Sequence, residues 1–230
     1  MGKNNINIFN KNLQSLLKNI IENFSDLKGI IENNYTFPLE GLGYLNKFII
    51  NNKNKGNDIS NKNEIIFSKG LIILEYIDFN YIWNHGDMSK QNKNIIWKYI
   101  QSLYLYSLEY SENINLSETL KQFNETNEIK DDISRNIIKI FNNLSNKIES
   151  DELSLDVSEE QPSSFKMPDL SSFLGKHLMA LVNNMIDKID LHSIELDNPL
   201  QLVQLLLSGS FSLKNDTSGI GLMVKKLIDN

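Results

Sequence analysis

Cysteine is absent from the 230 residues, so thiol catalysis, disulfides and thiolate-held zinc are excluded. Arginine is almost absent: Arg135 is the only one among 23 basic residues, which removes the planar fork that grips phosphate and guanine with two hydrogen bonds. Histidine occurs three times, as His85, His177 and His192, without a His-x-x-x-His spacing or any other local ligand pair. No apolar run approaches the roughly 18 residues of a membrane span. The opening MGKNNINIFNKNL has no apolar core of a secretory signal, and Ile6 stands where a myristoylation motif wants Ser or Thr. Glycine is sparse as well. The short GLG (41–43) and GIG (219–221) are too small for a dinucleotide fingerprint, and no phosphate-cradling Gly-x-x-x-x-Gly-Lys-Ser/Thr occurs. No cofactor and no metal is implied, and the cytoplasm is the simplest location.

What is present in excess is Asn, Ile and Lys. Their codons are built largely of A and T, which points to an AT-rich genome. Polar loops such as NNKNKGND (51–58) then reflect mutation pressure as much as physical demand. Hydrophobic residues make up 40% of the chain, enough to bury a substantial core. A formal net charge of −6 opposes a protein that coats phosphate backbones, because that kind of binding relies on cations releasing counterions.

Apolar periodicity predicts helices almost throughout. Leu13, Leu17, Ile20, Phe24, Leu27 and Ile31 alternate at spacings of four and three, the mark of one seam along a helix of about five turns. Thr36-Phe37-Pro38 reads as a helix start, with Leu42, Leu45, Phe48 and Ile49 on one face. EIIFSKGLIILEYIDFNYIW (64–83) is β-branched but too long and too continuously apolar for a strand, and predicts a buried helix. Gly86 and Asp87 break the pattern, and Ser89 caps a helix from Lys90 whose apolar residues recur around nearly the whole circumference. Lys98, Gln101, Ser102 and Glu109 form its only polar strip. Such a helix is central, which makes Trp97 and the tyrosines core residues. A short piece after Ser117 and an amphipathic helix over 131–149 follow.

From Ser150 to Asp169 the composition turns acidic and rich in Ser, with Pro162 and Pro168. This predicts a linker at 151–168 between a helical domain at 1–150 and a small helical C-terminal domain at 169–230. The last helix runs to Asn230 without a cap, as expected of a piece cut from something longer.

Chemistry has few candidates. Glu75 and Asp78 are carboxylates at helical spacing among apolar residues; buried together with His85 nearby they would form an acid/base site, and on a solvent face they would be ordinary surface groups. Lys47, Lys53, Lys55 and Lys62 flank the Asn-rich loop and could form a local nucleic-acid patch. The seam residues Leu13, Leu17, Ile20, Phe24, Leu27 and Ile31 could bind another protein if left over after folding.

NIIWKYIQSLYLYS (94–107) resembles a segment of uncharacterised helical proteins from the nucleocytoplasmic large DNA viruses, including the giant viruses of amoebae. The tail from Leu170 to Ile228, with its Asn-Pro-Leu and Gly-Leu-Met, is similar to their C-terminal part. The resemblance implies a viral context, in an infected cell's cytoplasm or a virion, and carries no activity or site. The expectation is therefore an all-α protein, a helical bundle with a second, smaller helical domain. It acts as a noncatalytic interaction or structural protein with protein partners, itself included, rather than nucleic acid or membrane.

Overall fold

The computed structural model describes residues 2–86, 88–112, 114–126, 131–145, 164–168 and 170. Residues 151–163 of the expected linker at 151–168, and the expected C-terminal helices with His177 and His192, lie outside the described residues. Among the described residues every regular element is helical and none is a strand, so the chain is all-α. By its contacts the chain divides into two units, one of 1–114 and 139–169, the other of 115–138 and 170–230.

The first unit is built around one helix. Eight α-helices are described, and the sixth, α6 (Lys90–Ser111), starts where Ser89 Oγ accepts from the Asn92 N–H at 3.1 Å. Every residue from Ile95 to Leu108 is buried, so the helix is covered on all sides by α1 (Gly2–Asn23), α3 (Gly43–Asn52) and α4 (Gly56–Ser60) among others. Burial extends over most of the expected polar strip. Gln101 and Ser102 are wholly buried because their side chains find carbonyls: Gln101 Nε2 donates to Ile59 O at 2.9 Å, and Ser102 Oγ donates to Tyr99 O at 2.8 Å. Lys98 is buried too, and desolvation, then the charge of Lys62, lowers its pKa. Trp97, Tyr99, Tyr104 and Tyr106 are core residues, as the pattern predicts.

The first seam is buried against this helix but is not one helix. α1 ends at Asn23; a 3-10 turn (Ser25–Leu27) and α2 (Lys28–Asn34) carry Leu27 and Ile31 onward. Phe24 leaves helical geometry at φ −132°, ψ 84°, just before Ser25-Asp26, whose short polar side chains favour turns over continued helix. The apolar register survives the break because Phe24, Leu27 and Ile31 all remain buried.

Two expectations fail locally. The third helix begins at Gly43, not after Pro38, and the Phe37–Pro38 peptide is cis. The apolar run 64–83 is not a helix. It forms a 3-10 turn (Glu64–Phe67), an irregular stretch over 68–78 and the short α5 (Phe79–Trp83), with Asn63 and Asp78 as caps. Gly70 (φ 85°) and Tyr76 (φ 65°) sit in the left-handed region, which no right-handed helix tolerates.

Residues 164–168 are packed onto the first unit as a strap that bends at Ser164 and Phe165. Phe165 is buried at 6.4 Å from the Phe24 ring, and Pro168 is buried as well. The amide of Asn19, itself buried, grips the backbone of Lys166 on both sides: Oδ1 accepts from its N–H at 3.0 Å and Nδ2 donates to its carbonyl at 2.9 Å. The Tyr99 hydroxyl donates to the same carbonyl at 3.1 Å. Burial pushes the Tyr99 hydroxyl up to about 12, against a smaller lowering by the Asn19 hydrogen bond.

The second half of α8 (Asp132–Ser145) also belongs to this unit. Lys139 Nζ donates to Asn61 Oδ1 at 2.8 Å and Asn143 Nδ2 donates to Ser60 O at 3.0 Å. In the second unit, α7 (Leu116–Thr126) buries Leu116 and Leu120.

Candidate functional site

The irregular stretch after Gly70 is held in place from beneath. Asn52 Nδ2, on α3, donates to Ile73 O at 3.0 Å and to Phe48 O at 2.8 Å. Lys55 Nζ donates to Asn51 O at 2.6 Å and to Ile72 O, and burial lowers its pKa. The Tyr35 hydroxyl donates to Glu75 O at 2.8 Å. The carbonyls of Ile72, Ile73 and Glu75 are thus satisfied by side chains from earlier in the chain, which fixes the backbone of a loop that forms no ladder of its own. Burial, and next the charge of Glu75, push the Tyr35 hydroxyl well above its ordinary range, so it stays a donor.

The loop buries Ile73, Leu74 and Ile77 and leaves other apolar side chains facing outward. Leu71, Ile72 and Tyr76 are 43%, 52% and 55% exposed, and Ile50 on α3, one turn from Lys47, is 68% exposed. A lone exposed aliphatic is ordinary, but these four lie on one loop and on the helix whose Asn52 holds it. Beside them lies a groove with Leu13 and Phe48 among its lining, along with Tyr35, Tyr44, Lys47 and Asn51. Its enclosed volume is about 10 Å³, room for one small atom group. Asn51 Nδ2 is buried there without a hydrogen-bond acceptor. Tyr35 and Tyr44 stack at 5.4 Å, and Lys47 pairs with Glu75 at 2.6 Å while lying 5.8 Å from the centre of the Tyr76 ring.

The residues singled out from sequence fall elsewhere or take other roles. Leu13, Leu17, Ile20, Phe24, Leu27 and Ile31 are all buried within the chain's own core and leave no free seam. Of the four lysines, Lys47 is matched by Glu75 and Lys55 by two carbonyls, while Lys53 is exposed; Lys62 sits near buried Lys98 at a left-handed backbone position. Glu75, Asp78 and His85 take different roles. Asp78 Oδ1 accepts from the Asn80 and Tyr81 N–H groups as a helix cap, Glu75 pairs with Lys47, and His85 packs edge-on to Phe24 at 5.2 Å and Tyr81 at 5.7 Å.

Among the described residues, no group of three His, Asp or Glu could hold a metal ion, and no helix is long and apolar enough to cross a membrane. Sequence reasoning missed Ile50, Leu71, Ile72 and Tyr76. The available signal was Gly70, a helix breaker in the middle of a run otherwise read as helical. No protein-family model, curated protein or solved structure matches the chain.

Proposed function

We propose that this chain is a noncatalytic helical interaction protein that docks a protein partner on the face made by Leu71, Ile72, Tyr76 and Ile50. The observation that carries the reading is the exposure of these four side chains on a loop whose carbonyls are held by Asn52, Lys55 and Tyr35. A stiff loop loses little freedom on binding, so apolar contact made there is not offset by ordering. Tyrosine and isoleucine supply area, and Tyr76 adds an aromatic anchor of the kind that dominates interfaces. Lys47 and Glu75 neutralise each other at the edge, so the face asks for no charge from its partner. The occupant is accordingly a protein surface that is aliphatic and uncharged at its centre, with one small group to enter the groove at Asn51. The viral context, in host cytoplasm or virion, rests on the resemblance of 94–107 and the tail alone.

The test is a tagged pull-down from cells that express the chain, with and without nuclease, run beside an Ile72→Asp chain. The expected result is a defined protein set that survives nuclease and is lost from the variant. Recovery from both chains that collapses on nuclease treatment would replace this reading with nucleic-acid association. A set retained in full by the variant removes the proposed face.

A further inference from the structure

Away from that face, the strap at 164–168 occupies a second site with its own chemistry. Asn19 is 2% exposed on α1, and its amide meets both backbone groups of Lys166 as a neighbouring strand would. It also donates to the Tyr99 hydroxyl at 3.1 Å, which in turn holds the Lys166 carbonyl. A buried amide reads any peptide backbone laid along it, whatever the side chains. Two neighbours add selectivity: Phe24 borders the place of the Phe165 ring, and Glu22 meets Lys166 Nζ at 3.0 Å. At the other end Asn92 Nδ2 donates to Ser164 Oγ at 3.1 Å. Without a peptide, the Asn19 amide would keep only the Tyr99 hydroxyl among these partners.

We propose that the Asn19–Tyr99 groove is a binding site for a peptide with an aromatic residue followed by lysine, filled in cis by Phe165–Lys166 and exchangeable for the same chemistry in trans. The strap is joined to α8 through residues 146–163, so it is a tethered competitor whose effective concentration is on the order of millimolar. A trans peptide gains access when the strap is weakened. The trans segment is supplied by a second copy of this chain, which carries the same Phe165–Lys166 pair.

The probe is a fluorescein-labelled peptide of residues 163–169, SSFKMPD, titrated by anisotropy into the full chain and into a full chain carrying Phe165→Asp. The Phe165→Asp chain is expected to keep the helical circular dichroism of the parent and to bind the peptide at least about ten-fold more tightly, because the tethered competitor is gone. A peptide with Asp in place of its Phe should not bind. Glu22 is half exposed, so Glu22→Lys in the same background leaves the fold intact; it should weaken the peptide, and a peptide with Glu at the lysine position should recover the loss. Equal affinity for both chains, or no binding to a folded Phe165→Asp chain, overturns the proposal. Sedimentation velocity tests the source: a wild-type dimer that Phe165→Asp abolishes supports a second copy, and a wild-type monomer at every concentration overturns it.

Discussion

Two apolar segments of similar composition meet opposite fates in this molecule. NIIWKYIQSLYLYSL (94–108) becomes the middle of α6 and is buried almost without exception, whereas EIIFSKGLIILEYIDFNYIW (64–83) becomes turns, an irregular loop and one short helix. In the loop segment Ile66, Phe67, Ile73, Leu74 and Ile77 are buried while Ile65, Leu71, Ile72 and Tyr76 are exposed. Hydrophobic content does not separate the two. What separates them is punctuation and outside support: Ser89 starts α6 and nothing interrupts it, while Gly70 and the Asp78 cap divide the other run and Asn52, Lys55 and Tyr35 satisfy the carbonyls that a helix would have satisfied itself. A segment relieved of its own hydrogen bonding is free to face outward.

The comparison is broken most forcefully inside α6. Leu103, wholly buried, should cost about 2–5 kcal/mol when changed to Ala, read as a fall in the urea midpoint at constant m. A loss below about 1 kcal/mol would mean that α6 is not the centre of the core. Next in size, Asn52→Ala leaves the Ile73 carbonyl without that donor and should cost about 1–3 kcal/mol. Its signature is faster amide exchange in 71–77 than in 95–108; uniform loss of protection would show that loop and core open together.

Caps sharpen the contrast. Ser89→Ala and Asp78→Ala each remove a helix cap worth about 1 kcal/mol. The first should lower global stability, and the second should mainly loosen α5 and its loop by hydrogen exchange. Equal global losses would erase the distinction. The smallest effect belongs to Ile72→Asp, which should shift stability by no more than about 0.5 kcal/mol because more than half of the residue is already in water. A larger loss would show that Ile72 is core and not a docking residue.

Much of the fold was legible in the sequence because its signals are local. The Ser89 cap, the apolar circumference of α6 and the four-three spacing of Leu13 to Ile31 all depend on residues within a few turns. The break after Asn23 was less visible, since the apolar register runs through it and only Ser25-Asp26 mark the turn. The same seam shows how a legible pattern misleads about function. Leu13, Leu17 and Ile20 are regular because they pack on the chain itself, and regularity alone does not say whose surface covers them.

The candidate faces were barely legible for the opposite reason. Tyr35 lies 40 positions before Glu75, Asn52 lies 21 before Ile73, and Asn19 reaches Lys166 across 147 positions. No local spacing encodes a donor that distant. The strap at 164–168 adds a further case: acidic, Pro-containing composition reads as linker, yet Phe165 is buried and Asn19 holds the backbone of Lys166.

The sequence by itself determined the helical class, the central position of α6 and the lack of thiol chemistry, because periodicity, capping and composition act over one or two turns. Tertiary structure alone decided which apolar residues stay in water and which polar ones are buried. Those outcomes turn on whether a donor or acceptor from elsewhere in the chain meets each backbone group, as Asn52 meets Ile73 and Asn19 meets Lys166.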